Sequence, residues 1–190
     1  MTSVSERRQR LDFDTSWQVV KWDESDEFDG SMDPALHQLP PDGVKAADVV
    51  GVRTQSRRPR TILIAEFKDF DHPSVPAHDH ARVAEQATSD AVMRDLVRKV
   101  IDTLSGATFA HDASASRCAE LDDWRPALAR ASTSLLVLLC IEVPATQALA
   151  VLPWTKELQR RLRWLGPKTQ VIVTSSARPF RGDGGAYVVT

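Results

Sequence analysis

One short segment constrains the fold of this chain more than any other: an apolar run within residues 61–70 that also carries charged side chains. It begins with Thr followed by four apolar residues, as in a strand that is covered on both faces of a sheet. Side chains alternate across a strand, so Glu66 and Lys68 point to the same face, two residues apart. Burying a carboxylate and an ammonium group is costly unless they are paired or bind a metal ion. The segment therefore holds either a structural ion pair or part of a chemical site.

Length and composition indicate one soluble domain. We expect residues 1–190 to form a single domain with its core at about 17–175, after a short polar N-terminal segment. The formal net charge of −2 does not mark a strongly basic nucleic-acid binder. A protein that acts on nucleic acid can nevertheless be near neutral when an acidic site offsets a basic rim.

The cysteine content and the N-terminus bear on the cellular compartment. The two cysteines, Cys118 and Cys140, are too few for a disulfide framework, and Cys140 lies in an apolar run where we expect a buried thiol. The polar N-terminus does not resemble a signal peptide, and no apolar run reaches the roughly 18 residues that span a membrane. We therefore expect a cytoplasmic protein without membrane contact.

Hydrophobic patterning predicts an α/β fold. Residues 1–10 favour a short helix with a serine N-cap. Three strands are predicted next, at 17–22, 44–52 and 61–70. They are followed by a long helix from about 79 to 104, with Gly106 as its C-terminal cap, and by a shorter helix around 118–131. The last predicted elements are a strand at 134–143, a helix at 155–165, a strand at 170–174 and an edge strand at 187–189. This order predicts a mixed central sheet flanked by helices on both faces.

A second carboxylate is expected near Glu66. Asp48 lies among small apolar residues of the second predicted strand, and a short basic link joins this strand to the third. A hairpin would bring Asp48 close to Glu66, where the two carboxylates repel each other unless a divalent cation lies between them. Mg²⁺ prefers oxygen ligands and retains waters, so two carboxylates and a backbone carbonyl would suffice. A nearby lysine can then orient or deprotonate an attacking water while the metal stabilises charge on a phosphate oxygen.

The pattern of Asp48, seventeen intervening residues and Glu66-Phe67-Lys68 resembles the PD-(D/E)xK nuclease superfamily, which includes restriction endonucleases and Holliday-junction resolvases. The resemblance extends over roughly residues 17–143 through the order of elements and implies a restriction-endonuclease-like core (αβββαβ). It implies that Asp48 and Glu66 bind Mg²⁺ or Mn²⁺, that the carbonyl of Phe67 is a third ligand, and that Lys68 positions the water. The family's proline is replaced here by Ala47.

Five further residues are weaker candidates. The resemblance makes Glu6 a candidate for the acid on the family's first helix, and Gln86 a candidate for a supporting polar residue. The basic link contains Arg57, Arg58 and Arg60, which could contact nucleic-acid phosphates. Residues 72–80 contain three histidines, and this segment is better interpreted as a solvated loop than as a metal site.

These observations together predict metal-dependent hydrolysis of phosphodiester bonds, most simply by a DNA endonuclease in repair or in defence against foreign DNA. DNA is the expected partner, and a second copy of the chain or a partner protein would supply specificity. Two alternatives stay open. The fold could serve as a non-enzymatic adaptor or subunit in a larger assembly, or Glu66 and Lys68 could form an ion pair in a plain globular domain.

Overall fold

The computed structural model describes residues 1–6, 8–22, 47–54, 61–71, 85, 90–113, 127, 132–145, 148–149, 151–175, 180–182 and 187–189. In chain order the elements are β1 (Thr2–Glu6), β2 (Gln9–Phe13), β3 (Trp17–Lys21), β4 (Val49–Arg53), β5 (Thr61–Asp69), α1 (Asp90–Ala113), β6 (Ser134–Glu142), α2 (Trp154–Leu162), a 3₁₀ turn (Arg163–Leu165), β7 (Thr169–Thr174), β8 (Phe180–Gly182) and β9 (Tyr187–Val189).

The larger of two sheets has five strands in the order β3-β4-β5-β6-β7. Strands β3, β4 and β5 pair antiparallel, whereas β5, β6 and β7 pair parallel. The central strands are buried almost throughout, as expected for strands covered on both faces. The mixed sheet predicted from the sequence is thus confirmed, with the predicted charged strand, β5, at its centre.

Both described helices pack on one face of this sheet. Their buried apolar side chains include Met93, Leu96, Val100, Trp154, Leu158 and Leu162. Ile62 and Ile64 of β5 belong to the same apolar cluster. Because side chains alternate along a strand, Glu66 and Lys68 point to this helical face as well.

A second, four-stranded antiparallel sheet covers the opposite face. Its strand order is β1-β2-β9-β8. Leu11 and Phe13 of β2 are fully buried against Leu63, Ala65 and Phe67 of β5. In the described part of the chain, this sheet occupies the face on which a further layer of helix was predicted.

The helix predicted at residues 1–10 is wrong, because this segment forms strands β1 and β2 of a hairpin. Gln9, Leu11 and Phe13 are buried at every second position, which is the period of a strand. The short polar run 1–8 contains good helix formers, but β2 pairs with β9 at the far end of the chain. This long-range pairing outweighs local propensity.

Two other boundaries differ from the prediction. Helix α1 continues past Gly106 to Ala113, since one glycine costs a helix only about 1 kcal/mol. Strand β9 lies between β2 and β8 rather than at an edge. Of the helix predicted around 118–131, the structure describes only Ala127, which is helical and buried. None of the described helices has the length and apolar character needed to cross a membrane.

Candidate functional site

The sheet brings Asp48 opposite Glu66. Val49, the first residue of β4, pairs with Ala65 of β5, so one further step along the ladder places Asp48 beside Glu66 on the helical face. Asp48 directly precedes β4 rather than lying inside it, but its carbonyl accepts a 2.9 Å hydrogen bond from the backbone N–H of Trp22. This bond continues the sheet by one residue, and the predicted proximity of the two acids is confirmed.

The Asp48 carboxylate is buried and fixed by the backbone of β5. It is 6% exposed, and its Oδ2 accepts a 2.6 Å hydrogen bond from the backbone N–H of Phe67. Burial raises the pKa of Asp48 to about 6, and the negative charge of Glu66 adds to the rise. The Phe67 N–H, Lys99 and Lys68 oppose it. The cost of burying the charge therefore outweighs the stabilisation by the Phe67 N–H and the two lysines.

Glu66 contacts two lysines through a single oxygen. Its Oε1 lies 2.7 Å from Nζ of Lys68 and 2.6 Å from Nζ of Lys99. Burial alone would lower the pKa of Lys68, but the charge of Glu66 and its hydrogen bond, together with Asp48 and Asp95, raise it. The second oxygen of Glu66, Oε2, is buried and has no hydrogen-bond partner among the residues that the structure describes. A buried acceptor without a partner is unusual, and a bound water or an ion is among its ordinary explanations.

Lys99 is the member of the site that the sequence analysis missed. It lies on α1, and its Nζ is also 3.8 Å from Oδ1 of Asp48, so one ammonium group approaches both carboxylates. Its side chain is only 17% exposed. A signal was present in the sequence, because Lys99 shares a helix face with Leu96, Val100 and Thr103, where an apolar residue would be expected.

Thr103, one helical turn after Lys99, anchors the backbone next to Asp48. Its Oγ1 accepts a 2.9 Å hydrogen bond from the N–H of Ala47, and both residues are 1% exposed. Helix α1 therefore holds the site at two levels: Lys99 contacts the carboxylates, and Thr103 holds the chain that carries one of them.

Thr103→Val should lower the free energy of unfolding by about 1 to 3 kcal/mol, because it leaves the buried N–H of Ala47 without an acceptor. Urea denaturation measures the loss. Thr103→Ser keeps the hydroxyl and should lose clearly less. Equal losses in the two variants would assign the effect to packing of the threonine methyl group instead.

Of the weaker candidates, the structure describes only Glu6, which is not part of this cluster. Glu6 ends strand β1 in the four-stranded sheet, across the larger sheet from the helical face. Gln86, Arg57, Arg58 and Arg60 lie outside the described residues, as does the histidine run at 72–80. On α2, Arg160 and Arg161 pair with acidic side chains of their own protein, so these charges are already neutralised.

The donor set suits a hard cation such as Mg²⁺ or Mn²⁺. In the described part of the chain, no group of three or more His, Cys, Asp or Glu side chains could hold a metal ion, so the side-chain donors are the two carboxylates. In a strand, the N–H and C=O of one residue point toward the same neighbouring strand. Since the N–H of Phe67 points to Asp48, its carbonyl faces the same side. Together with the free Oε2 of Glu66, these oxygens fit the ligand set that the sequence predicts.

Comparisons with protein-family models, with curated proteins and with solved structures find no match to this chain.

Proposed function

We propose that this protein is a metal-dependent nuclease that hydrolyses phosphodiester bonds, most simply in DNA. The observation that carries the proposal is the convergence of Asp48, Glu66 and Lys68 on one cluster at the carboxyl end of β5, where one oxygen of Glu66 has no partner within the described part of the chain. In the resemblance described above, the same three residues carry the chemistry. The clustering supports that assignment because it results from strand register, which the sequence motif alone does not specify.

Each residue has a distinct role in the proposal. Asp48 and Glu66, with the carbonyl of Phe67, hold Mg²⁺ or Mn²⁺, which when bound polarises the phosphate and stabilises its developing charge. The backbone N–H of Phe67 keeps the Asp48 carboxylate oriented. Lys68 is the most exposed charged group of the cluster, at 27%, so its ammonium group can reach an incoming water at the mouth of the site.

One observation favours a second candidate function, a non-enzymatic scaffold with this fold. Lys68 and Lys99 together balance the charges of Asp48 and Glu66, so the cluster is close to neutral without a metal ion. A buried ion cluster of this kind can serve specificity of folding alone. Under this alternative, substitutions in the cluster change stability and alter neither metal binding nor cleavage.

Calorimetric titration with Mn²⁺ and Mg²⁺ separates the two functions. The wild-type protein should bind the cation, and Asp48→Asn, which keeps the shape of the side chain but removes its charge, should lose measurable binding. Plasmid and single-stranded DNA are incubated in parallel, with and without EDTA. Metal-dependent cutting that is absent in Asp48→Asn supports the nuclease. Wild-type protein that binds neither cation would overturn the proposal in favour of the scaffold.

A further inference from the structure

An open cleft of about 480 Å³ lies beside the proposed nuclease site. It is formed where β6 and β7 end and α2 begins. The carboxyl ends of parallel strands are the usual place for ligands in open α/β sheets. In the sheet, Ile141 of this cleft is the register partner of Lys68. The cleft therefore begins one strand away from Lys68, about 4.8 Å in the plane of the sheet.

The lining of the cleft combines an apolar wall with a few polar groups. Its apolar residues include Ile141, Val143, Val151, Leu152 and Val173. The polar residues are Arg8, Asp71, Glu142, Thr155, Thr174 and Ser175. An apolar lining with a small number of placed polar groups is typical of small-molecule sites, and the volume lies within their usual range of about 300 to 1,000 Å³.

The charges of the cleft disfavour a phosphate group inside it. Among the described residues that line it, the one cation is Arg8, which is already paired, with Nη2 2.7 Å from Oδ1 of Asp69 and Nη1 3.5 Å from Oδ2 of Asp71. Glu142 adds a buried carboxylate at 9% exposure, which contacts Nε2 of Gln9 at 3.4 Å. Carboxylates only accept hydrogen bonds, and each offers about four acceptor positions. The cleft therefore suits a neutral, planar group that carries N–H donors.

We propose that this cleft holds an unpaired nucleobase of the strand being cut, next to the scissile phosphate; this inference rests on the proposed nuclease function. The aliphatic wall contacts the faces of the base, and the carboxylates accept hydrogen bonds from its exocyclic amine. A base in a duplex is stacked and paired and cannot enter such a cleft without being extruded. The substrate is therefore single-stranded or locally opened DNA, and bases with an exocyclic amine are preferred over thymine.

Binding of free nucleosides tests the cleft without any cleavage. Deoxycytidine is titrated into the wild-type protein without metal while the methyl NMR signals of Val143, Val151 and Leu152 are followed. We expect shifts confined to these methyl groups, and binding of thymidine about tenfold weaker because it lacks the amine. Inorganic phosphate should not shift these methyl signals. No shift with deoxycytidine, or equal shifts with phosphate, would overturn the inference.

A matched pair of tryptophan variants links the cleft to the substrate. Ala148 is exposed and lines the cleft, so Ala148→Trp fills it, whereas its neighbour Leu149 is 79% exposed and is not part of the lining. Ala148→Trp should abolish the deoxycytidine shifts and slow cutting of single-stranded DNA at least tenfold while leaving Mn²⁺ binding intact. Leu149→Trp should change none of these. Unchanged cutting by Ala148→Trp would overturn the inference and leave the nuclease standing. A wild-type protein that binds deoxycytidine but never cuts would confirm the base site and contradict the nuclease.

Discussion

Replacing Lys99 by methionine is expected to lower the free energy of unfolding of the metal-free protein by about 3 kcal/mol. The ammonium group lies 2.6 Å from Glu66 and 3.8 Å from Asp48, and both acidic side chains are at most 8% exposed. Removing it leaves, in the described part of the chain, Lys68 to balance two buried negative charges, and the salt bridge of Lys68 is with Glu66. Urea denaturation in EDTA measures the loss.

The same substitution should strengthen metal binding. In the metal-free protein Lys99 is the cation nearest to both carboxylates, so a divalent ion must compete with it. Without this competition, saturating Mg²⁺ should raise the stability of Lys99→Met more than that of the wild type. Lys156→Met on the exposed side of α2 is the matched control and should change neither quantity. A variant that is as stable as the wild type in EDTA would show that Lys99 does not compensate the acids.

The elements that the sequence predicted well are those whose apolar pattern agrees with their final surroundings. Strand β6 is a nearly continuous apolar run, β5 begins with one, and α2 shows a regular stripe with Leu158 and Leu162 inward, so pattern and structure coincide. Residues 1–10 were misassigned: they form most of a local hairpin, and residues 11–13 of β2 pair with β9, more than 170 residues away in the chain. No local sequence pattern indicates the pairing with β9. The alternation of buried Gln9, Leu11 and Phe13 extends over only five residues, so it is easily overlooked.

The candidate site was predictable to the extent that it lies on neighbouring strands. Glu66 and Lys68 share a face by simple alternation, and Asp48 follows from a hairpin. Lys99 contacts the same two carboxylates from helix α1, which is distant from both strands in the sequence. Which face of this helix turns toward the sheet is set by the packing of Leu96 and Val100. Tertiary packing of this kind cannot be obtained from spacing along one chain segment. A polar residue on an otherwise buried helix face is the available clue.

Replacing Lys68 by methionine is expected to slow DNA cleavage by about 10²- to 10⁴-fold, the usual contribution of a side chain that transfers or orients a proton. Mn²⁺ affinity should be unchanged or higher, because Lys68 also competes as a cation for Glu66 at 2.7 Å. This combination distinguishes Lys68 from Asp48, whose replacement should remove metal binding and cleavage together. Single-turnover cleavage of a short DNA strand and calorimetry on the same preparations measure both quantities.

Lys68 and Lys99 both contact Oε1 of Glu66, so substitutions of the two lysines are matched controls for each other. Lys68 is more exposed than Lys99, at 27% against 17%, and only Lys68 belongs to the strand motif. We therefore expect Lys68→Met to affect mainly the rate and Lys99→Met mainly the stability. Lys68→Arg keeps the charge, but a guanidinium does not lose a proton at neutral pH and has a different shape, so it should not restore the rate. If Lys68→Met cuts at the wild-type rate and Lys99→Met does not, then the helix and not the strand supplies the lysine that positions the water.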